Sequence, residues 1–150
     1  MADAVHDKFV ERLIERTKTI SVGDPLDPAT DFGPVISAEA RDRILRYIAS
    51  GQAEGATLAY GGGRPAGPQF ERGFWVEPTI FSDVRNDMTI AREEIFGPVL
   101  AVIRAETTEA AIAIANDTEY GLSAGVWSTD NVRALDVAGQ LEAGDRKSVV

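Results

Sequence analysis

The 150-residue sequence predicts an α/β fold, with a mostly parallel sheet and helices on its faces. Two observations support this prediction. Hydrophobic residues make up 44% of the chain and charged residues 26%, which is the composition of a globular domain. In the second half of the chain, apolar runs alternate with helical segments, as in the βαβ units that join parallel strands. The length is that of a single domain with one core.

Two amphipathic helices are predicted in the first third of the chain. In residues 5–20, apolar side chains recur at steps of three and four, which places them on one helical stripe. Ser37 is a good N-cap for a second helix, and Gly51 or Gly55 closes it. The apolar residues of its buried face are Ile44, Leu45 and Ile48.

Four segments have the composition of strands. Residues 56–60 form a short candidate, and residues 74–81 form a second one, which Pro78 limits to an edge or bent strand. Residues 99–103 and 122–127 are continuous apolar runs, as expected of strands that are covered on both faces.

Two helices are predicted to follow these last two strands. Thr107 caps the first of them, and Thr129 or Asp130 caps the second. The second helix extends through Leu141 and ends at Gly144. Strand, helix, strand and helix therefore follow one another at the spacing of a parallel sheet.

The last six residues break this pattern. After Gly144 the sheet requires another apolar strand, but residues 145–150 read Asp-Arg-Lys-Ser-Val-Val. A disordered charged terminus is one interpretation. We favour a non-native tail, because the back-translation GAT-CGG-AAG-AGC-GTC-GTG spells the start of a widely used sequencing adapter. The predicted domain then covers residues 1–144, and the tail covers residues 145–150.

Charge and hydropathy exclude several classes of partner. The chain has 15 Lys and Arg against 24 Asp and Glu, a net charge of −9, and no basic cluster. Nucleic acids and anionic membrane surfaces are therefore poor partners. The apolar runs fall far short of the roughly 20 residues of a membrane span. The first residues also lack the features of a signal peptide, so we expect a cytoplasmic protein.

Residue usage also excludes several kinds of site. The chain has no cysteine and one histidine, so it holds no thiol nucleophile and no thiolate or multi-histidine metal site. We interpret His6, which lies among charged residues, as a solvated side chain. The glycines at 61–63 lack the spacing of phosphate-binding loops and are interpreted as a surface turn. The spacing of Asp24, Asp27 and Asp31 is unlike that of a calcium loop.

The most informative segment is residues 92–99, which read Arg-Glu-Glu-Ile-Phe-Gly-Pro-Val. Glu93 and Glu94 point in different directions, so at most one of them needs to enter a cleft. A carboxylate there accepts two hydrogen bonds from a vicinal diol, and Phe96 supplies a flat apolar wall for a ring. The alternative is that both carboxylates are solvated and Phe96 lies in the core. Composition alone favours this alternative, because functional carboxylates are a minority.

The segment at 93–99 resembles a hallmark of the aldehyde dehydrogenase superfamily. Other segments resemble the same family in the same order: residues 22–25 with 31–34, residues 73–81, residues 88–99, and Asn116 with residues 120–124. The resemblance covers about residues 5–144. It implies part of an aldehyde-dehydrogenase-like catalytic domain, truncated at both ends.

The resemblance also implies roles for individual residues. Glu94 matches the glutamate that bonds the hydroxyls of the nicotinamide ribose, and Phe96 matches the aromatic residue beside the nicotinamide. Ala40 and Arg43 stand where family members often have Gln and Lys. Arg43 keeps a hydrogen-bond donor and is therefore a third candidate cofactor-binding residue, whereas Ala40 has none. Asn116 is expected to be structural.

The family oxidises aldehydes to carboxylic acids with NAD or NADP, through a nucleophilic cysteine and a glutamate base. Both of these residues and the cofactor domain lie outside this chain, so the isolated chain is expected to be inactive. The resemblance implies an aldehyde substrate and a homo-oligomer for the full-length enzyme. The alternative function is a non-catalytic α/β module with a regulatory or interaction role.

Overall fold

The computed structural model describes residues 1–149, and the side chains of residues 1–147. The helices and strands, in chain order, are α1 (Asp3–Lys18), α2 (Ala38–Ala53), β1 (Thr57–Tyr60), a 3-10 turn (Pro68–Phe70), β2 (Thr79–Val84), α3 (Thr89–Arg92), β3 (Val99–Ile103), α4 (Thr108–Asn116), β4 (Ser123–Trp127), α5 (Asn131–Gln140) and β5 (Asp145–Val149). They form two compact units. The larger unit is Ala4–Arg104, and the smaller unit combines Met1–Asp3 with Ala105–Val150.

The larger unit is built on a three-stranded sheet in the order β1-β2-β3. β1 is antiparallel to β2, and β2 is parallel to β3. Phe81 of β2 and Ile44 of α2 are fully buried, and they share one core with Ile48 and Met88. The core of this unit is therefore formed mainly by α2 and by β2, the central strand of the sheet.

The predicted second helix is confirmed as α2. The Ser37 hydroxyl accepts a hydrogen bond from Ala40 N at 3.1 Å. Gly55 closes the helix with a φ of +95°, a conformation that favours glycine. Gly51 does not end the helix but lies inside it. A Cβ at this position would come within 2.8 Å of Ile90 Cδ1, so the close packing there favours glycine.

The central strand differs from the prediction. A strand was predicted over residues 74–81, with Pro78 restricting it to an edge or a bend. β2 begins after that proline, at Thr79, and continues to Val84 between β1 and β3. Proline has no backbone N–H, so the hydrogen bonds between the strands begin after it, where every residue can donate one.

The two apolar runs form strands, as predicted, but they are not covered on both faces. β3 has one fully buried residue, Val102, and Leu100 is 47% exposed. β4 alternates between exposed and half-buried residues, and Trp127 is 73% exposed. Within the described residues β3 is an edge strand, because it pairs only with β2.

The smaller unit contains the parallel pair β4 and β5 together with α4 and α5. The predicted caps are confirmed: Thr107 Oγ1 accepts from Ala110 N, and Asp130 Oδ1 accepts from Arg133 N, both at 3.1 Å. Asn116 Nδ2 donates to the Gln140 carbonyl, and its Oδ1 accepts from the backbone of residue 142, both at 2.9 Å. Asn116 thus connects the ends of α4 and α5, which confirms its structural role.

The expectation that no strand follows Gly144 is wrong. Residues 145–149 pair with β4 in parallel register, from Ser123 opposite Asp145 to Trp127 opposite Val149. Backbone pairing needs no apolar side chain, and Asp145, Arg146 and Lys147 are all exposed. That residues 145–150 are a non-native tail stays a prediction, and Val150 lies outside the described residues.

The first helix buries the predicted stripe only in part. Val5 and Phe9, at the start of the stripe, are 51% and 39% exposed, whereas Thr17 of the same stripe is 8% exposed. His6, which lies outside the predicted stripe, is 2% exposed. His6 is therefore not solvated. Its Nδ1 lies 2.9 Å from Asp7 Oδ1, which also accepts a hydrogen bond from Arg104 Nη2 at 2.6 Å. Hydrogen bonds from His6 and Arg104 hold the pKa of Asp7 below its ordinary value.

A membrane span is not among the described helices, since none of them combines the length and the apolar character that crossing a bilayer requires.

The position of β3 at the edge of its sheet predicts the behaviour of the isolated chain. On the side away from β2, the backbone beside exposed Leu100 forms a template for pairing with another chain. We expect the purified chain to self-associate or to unfold at low urea concentration. Sedimentation velocity at several concentrations and urea unfolding test this, and Leu100→Lys is expected to reduce association. A monomer at all concentrations with a steep cooperative transition would contradict the prediction.

Glu54 predicts a pH-dependent contribution to stability. Its carboxylate accepts hydrogen bonds from Thr89 N at 2.6 Å and from Ser50 Oγ at 2.7 Å, joining α2 to α3. Bonding to the Thr89 side chain, and then to Ser50, lowers the pKa of Glu54 from its ordinary 4.5. A lowered folded-state pKa means that the ionised carboxylate stabilises the fold above the ordinary pKa. That contribution is lost as the pH falls through the folded-state value.

Glu54→Gln is therefore expected to lower the unfolding temperature at about pH 7 and to change it little at about pH 3. Thermal unfolding followed by circular dichroism, at a concentration where the chain is monomeric, measures both differences. The matched control is Glu15→Gln, at an exposed position on α1. An equal loss at both pH values would show that the carboxylate charge is not the cause.

Candidate cofactor-binding site

A short loop, residues 93–98, carries the candidate carboxylate and aromatic residue between α3 and β3. Glu93 N donates to the Thr89 carbonyl at 3.0 Å, and Glu93 then ends α3 with an extended φ of −118°. At the other end, the Pro98 carbonyl accepts from Thr79 N at 2.7 Å. The loop is therefore attached to α3 on one side and to the start of β2 on the other.

Phe96 is 75% exposed and has a φ of +49°, in the left-handed region that non-glycine residues rarely adopt. The alternative interpretation is wrong for Phe96, which does not lie in the core, but it is right that Glu93 and Glu94 are both exposed. The core residue of this loop is Ile95, which is 9% exposed. Phe96 thus presents its ring outward from a loop whose neighbouring side chain is anchored in the core.

Glu94 is exposed, and the described residues give its carboxylate no hydrogen-bond partner. Glu93 differs, because its Oε2 accepts a hydrogen bond from the Tyr47 hydroxyl at 2.6 Å. The two carboxylates therefore have different surroundings, as the sequence analysis expected. Glu94 keeps its acceptor oxygens available to a ligand, and Glu93 uses one of its own within the protein.

Arg43 contributes to two pockets beside this loop. The apolar pocket, of about 640 Å³, is lined by Phe32, Val35, Ile36, Ala40, Arg43, Phe96, Gly97 and Pro98. The polar pocket, of about 280 Å³, is lined by Arg43, Arg46, Tyr47, Ser50, Thr89 and Glu93. The apolar pocket has the volume and the lining of a small-molecule site.

The guanidinium of Arg43 is partly engaged by the protein. Its Nη2 donates to the Ile95 carbonyl at 3.5 Å, which is a long hydrogen bond. Its Nε is buried and has no partner among the described residues. A buried donor without an acceptor is costly, so this N–H favours a ligand that brings an oxygen.

The structure brings two of the three predicted residues to one cavity. Arg43 and Phe96 both line the apolar pocket, whereas Glu94, two residues before Phe96, does not line it. Tyr47 is a further residue beside this loop, and the sequence did not indicate it. Its hydrogen bond to Glu93 joins positions 46 residues apart, and no local pattern marks such a contact.

The other motifs are used for local structure. Gly62 N donates to Thr79 Oγ1 at 3.0 Å and Gly63 N to Glu77 Oε2 at 3.1 Å, so these amides are not available to a phosphate. The carboxylates of Asp24, Asp27 and Asp31 accept backbone hydrogen bonds of 2.8–2.9 Å within their own loop. Within residues 1–149, no three His, Cys, Asp or Glu side chains group to hold a metal ion.

Comparison with known proteins gives the family. The model described as the aldehyde dehydrogenase family matches residues 1–147. The chain therefore belongs to the aldehyde dehydrogenase family, and the predicted α/β fold of that family is confirmed by solved structures.

Similar proteins include betaine aldehyde dehydrogenases. The protein of that name from Brucella anthropi is 55% identical over 140 residues, which is 93% of this chain and 29% of the relative. The betaine aldehyde dehydrogenase of Staphylococcus aureus, in complex with NAD+, is 41% identical with a TM-score of 0.95, over 98% of this chain and 29% of that one. The aldehyde dehydrogenase of Mycobacterium tuberculosis, also in complex with NAD+, is 47% identical with a TM-score of 0.93, over 97% of this chain and 30% of that one. The chain thus spans less than a third of the length of these relatives.

Proposed function

We propose that this chain is the part of an NAD(P)-dependent aldehyde dehydrogenase that binds the nicotinamide ribose of the cofactor. One observation carries the proposal: in a chain whose family match covers residues 1–147, the loop at 93–98 turns Glu94 and Phe96 outward. The NAD+ complexes of two similar proteins make NAD+ the first cofactor to test. Family membership also favours an enzyme over a non-catalytic module.

The free carboxylate of Glu94 suits a ribose diol. An ionised carboxylate has two acceptor oxygens and no donor, so it can accept one hydrogen bond from each of two neighbouring hydroxyls. Phe96 offers an exposed ring face against which a flat apolar group packs. The buried Nε of Arg43 supplies a donor with no acceptor among the described residues. Together these groups fit the sugar and ring of a nicotinamide nucleotide.

This chain's own residues bind and orient; they do not supply the chemical step. The cofactor, when bound, accepts a hydride from the substrate. Glu94 holds the ribose so that the attached ring keeps a fixed position, and positioning of this kind is a large part of catalysis. The nucleophile of the reaction must come from outside this chain, because the sequence contains no cysteine.

Substrate, assembly and location are part of the same proposal. Betaine aldehyde is the first substrate to test, because similar proteins carry that name. A homo-oligomer is supported by exposed apolar side chains in the smaller unit, which are Leu122, Trp127, Val132 and Leu135. The acidic composition without cysteine supports the cytoplasmic location that we propose.

The isolated chain is expected to be inactive and to bind the cofactor weakly. A charge-assisted hydrogen bond contributes about 1.5–3 kcal/mol, whereas association costs roughly 4–15 kcal/mol. Calorimetry should therefore detect no NAD+ binding tighter than about 1 mM, or roughly −4 kcal/mol. Absorbance at the NADH band should show no aldehyde-dependent increase over a protein-free control. Micromolar binding would show that the cofactor site is misplaced.

The role of Glu94 is tested in a chimeric enzyme. In it, residues 5–144 of this chain replace the matching segment of the Staphylococcus aureus betaine aldehyde dehydrogenase. Glu94→Gln keeps the shape of the side chain but turns one acceptor oxygen into a donor. A loss of about 1–3 kcal/mol in transition-state positioning lowers the dehydrogenase rate roughly 5- to 150-fold. Ester hydrolysis, which needs no cofactor, should fall much less.

The control variant is Glu15→Gln, at an exposed carboxylate on α1. It should leave the ratio of dehydrogenase to esterase rate unchanged. If Glu94→Gln lowers both rates equally, or lowers the unfolding temperature, Glu94 is structural and the proposed site is wrong.

A further inference from the structure

Every second residue at the start of the loop at 93–98 contacts the protein. Glu93 bonds Tyr47, Ile95 is buried and Gly97 lies against Ile44, whereas the Glu94 carboxylate has no hydrogen-bond partner among the described residues and Phe96 is 75% exposed. Each residue has only two freely rotating backbone angles, so holding the residues on either side of Glu94 and Phe96 restricts the conformations of these two. The orientation of the two proposed ligand-binding residues is therefore set by the contacts of their neighbours.

One helix, α2, makes all three of these contacts. Tyr47 donates its hydroxyl hydrogen to Glu93 at 2.6 Å, and Arg43 donates to the Ile95 carbonyl at 3.5 Å. Gly97 lies against Ile44 so closely that a Cβ at position 97 would come within 2.6 Å of Ile44 Cδ1.

These three helix residues share one face of α2. Tyr47 lies four positions after Arg43 and three after Ile44, so each of these two residues is its neighbour on the helix. The helix that forms the core therefore also determines the course of the loop.

The conformation of Phe96 needs this support. A φ of +49° costs free energy for a residue with a side chain, and such a residue persists only where its surroundings fix it. Phe96 is 75% exposed and is not one of the core residues. The left-handed conformation of Phe96 is therefore stabilised by the contacts of its neighbours, Ile95 and Gly97.

We propose that Tyr47 is a positioning residue of the cofactor site. Its hydrogen bond to Glu93 fixes the start of the loop, so that Glu94 faces the ribose and Phe96 keeps its left-handed conformation. The proposal rests on the proposed function of Glu94. Tyr47 itself touches neither cofactor nor substrate, and it acts through the backbone of the loop.

The first test uses the 150-residue chain itself. Tyr47→Phe removes only the hydroxyl, and the matched control Tyr60→Phe removes a hydroxyl that has no hydrogen-bond partner among the described residues. Hydrogen–deuterium exchange by mass spectrometry should show about three- to tenfold faster exchange in the peptide covering residues 93–98 for Tyr47→Phe, as for loss of one hydrogen bond. Tyr60→Phe should leave this peptide unchanged. Unchanged exchange for Tyr47→Phe would overturn the proposal.

The second test uses the chimeric enzyme and NAD+. Tyr47→Phe and Glu93→Ala should each raise the calorimetric Kd and the KM for NAD+ about three- to tenfold, with little change in esterase rate or unfolding temperature. Glu93→Gln should restore values to within about twofold, because its amide oxygen still accepts from the Tyr47 hydroxyl. The double variant should be no worse than either single variant, since both remove one shared interaction.

The outcomes separate the two proposals. If Glu94→Gln weakens NAD+ binding and Tyr47→Phe does not, the proposed function stands and the positioning role is wrong. If neither variant weakens NAD+ binding while exchange in the loop still rises, the hydrogen bond orders the loop but the loop is not the cofactor site. If Tyr47→Phe lowers the esterase rate and the unfolding temperature as well, Tyr47 is a general structural residue, which also overturns the positioning role.

Discussion

The packing of Ile44 is the contact on which the rest of the candidate site depends. Ile44 is fully buried, belongs to the same core as Phe81 of the central strand, and on its other side lies against Gly97 of the exposed loop. A single side chain thus joins the sheet, the helix and the loop. Glycine at position 97 is required by this close approach, because any Cβ there would overlap Ile44.

Features encoded by neighbouring residues were the ones that the sequence could predict. Ser37, Thr107 and Asp130 cap helices through bonds to residues three positions later, and local patterns capture such short spacings. The resemblance of residues 93–99 to a family motif likewise indicated the loop that the structure leaves exposed. Local chemistry was therefore a sufficient guide to every helix except α3 and to most strands. The two outward residues of the loop were indicated by the family resemblance, because composition alone favoured Phe96 in the core.

Features set by tertiary contacts were mispredicted or missed. Pro78 suggested an edge or bent strand, but the chain places β2 between two partners just beyond it. His6 stands among charged residues in sequence and is nevertheless 2% exposed. β5 pairs with β4 through its backbone, and its described side chains are polar, so no apolar pattern in the sequence predicted this strand. For both strands the pairing partner lies far away along the chain, where neither propensity nor periodicity carries information.

Stability and site geometry are coupled in this unit because one helix serves both. Ile44 and Ile48 of α2 supply the core, while residues 43, 44 and 47 hold the loop from the adjoining face. A substitution that loosens the packing of α2 therefore also moves the backbone that directs Glu94 and Phe96. The hydroxyl of Tyr47 and the guanidinium of Arg43 are different, because they contact the loop without forming part of the buried core. Loss of these polar contacts can alter the direction of the loop while leaving the apolar core intact. Substitutions at Tyr47 and Arg43 can therefore change cofactor binding without a matching change in the stability of the fold.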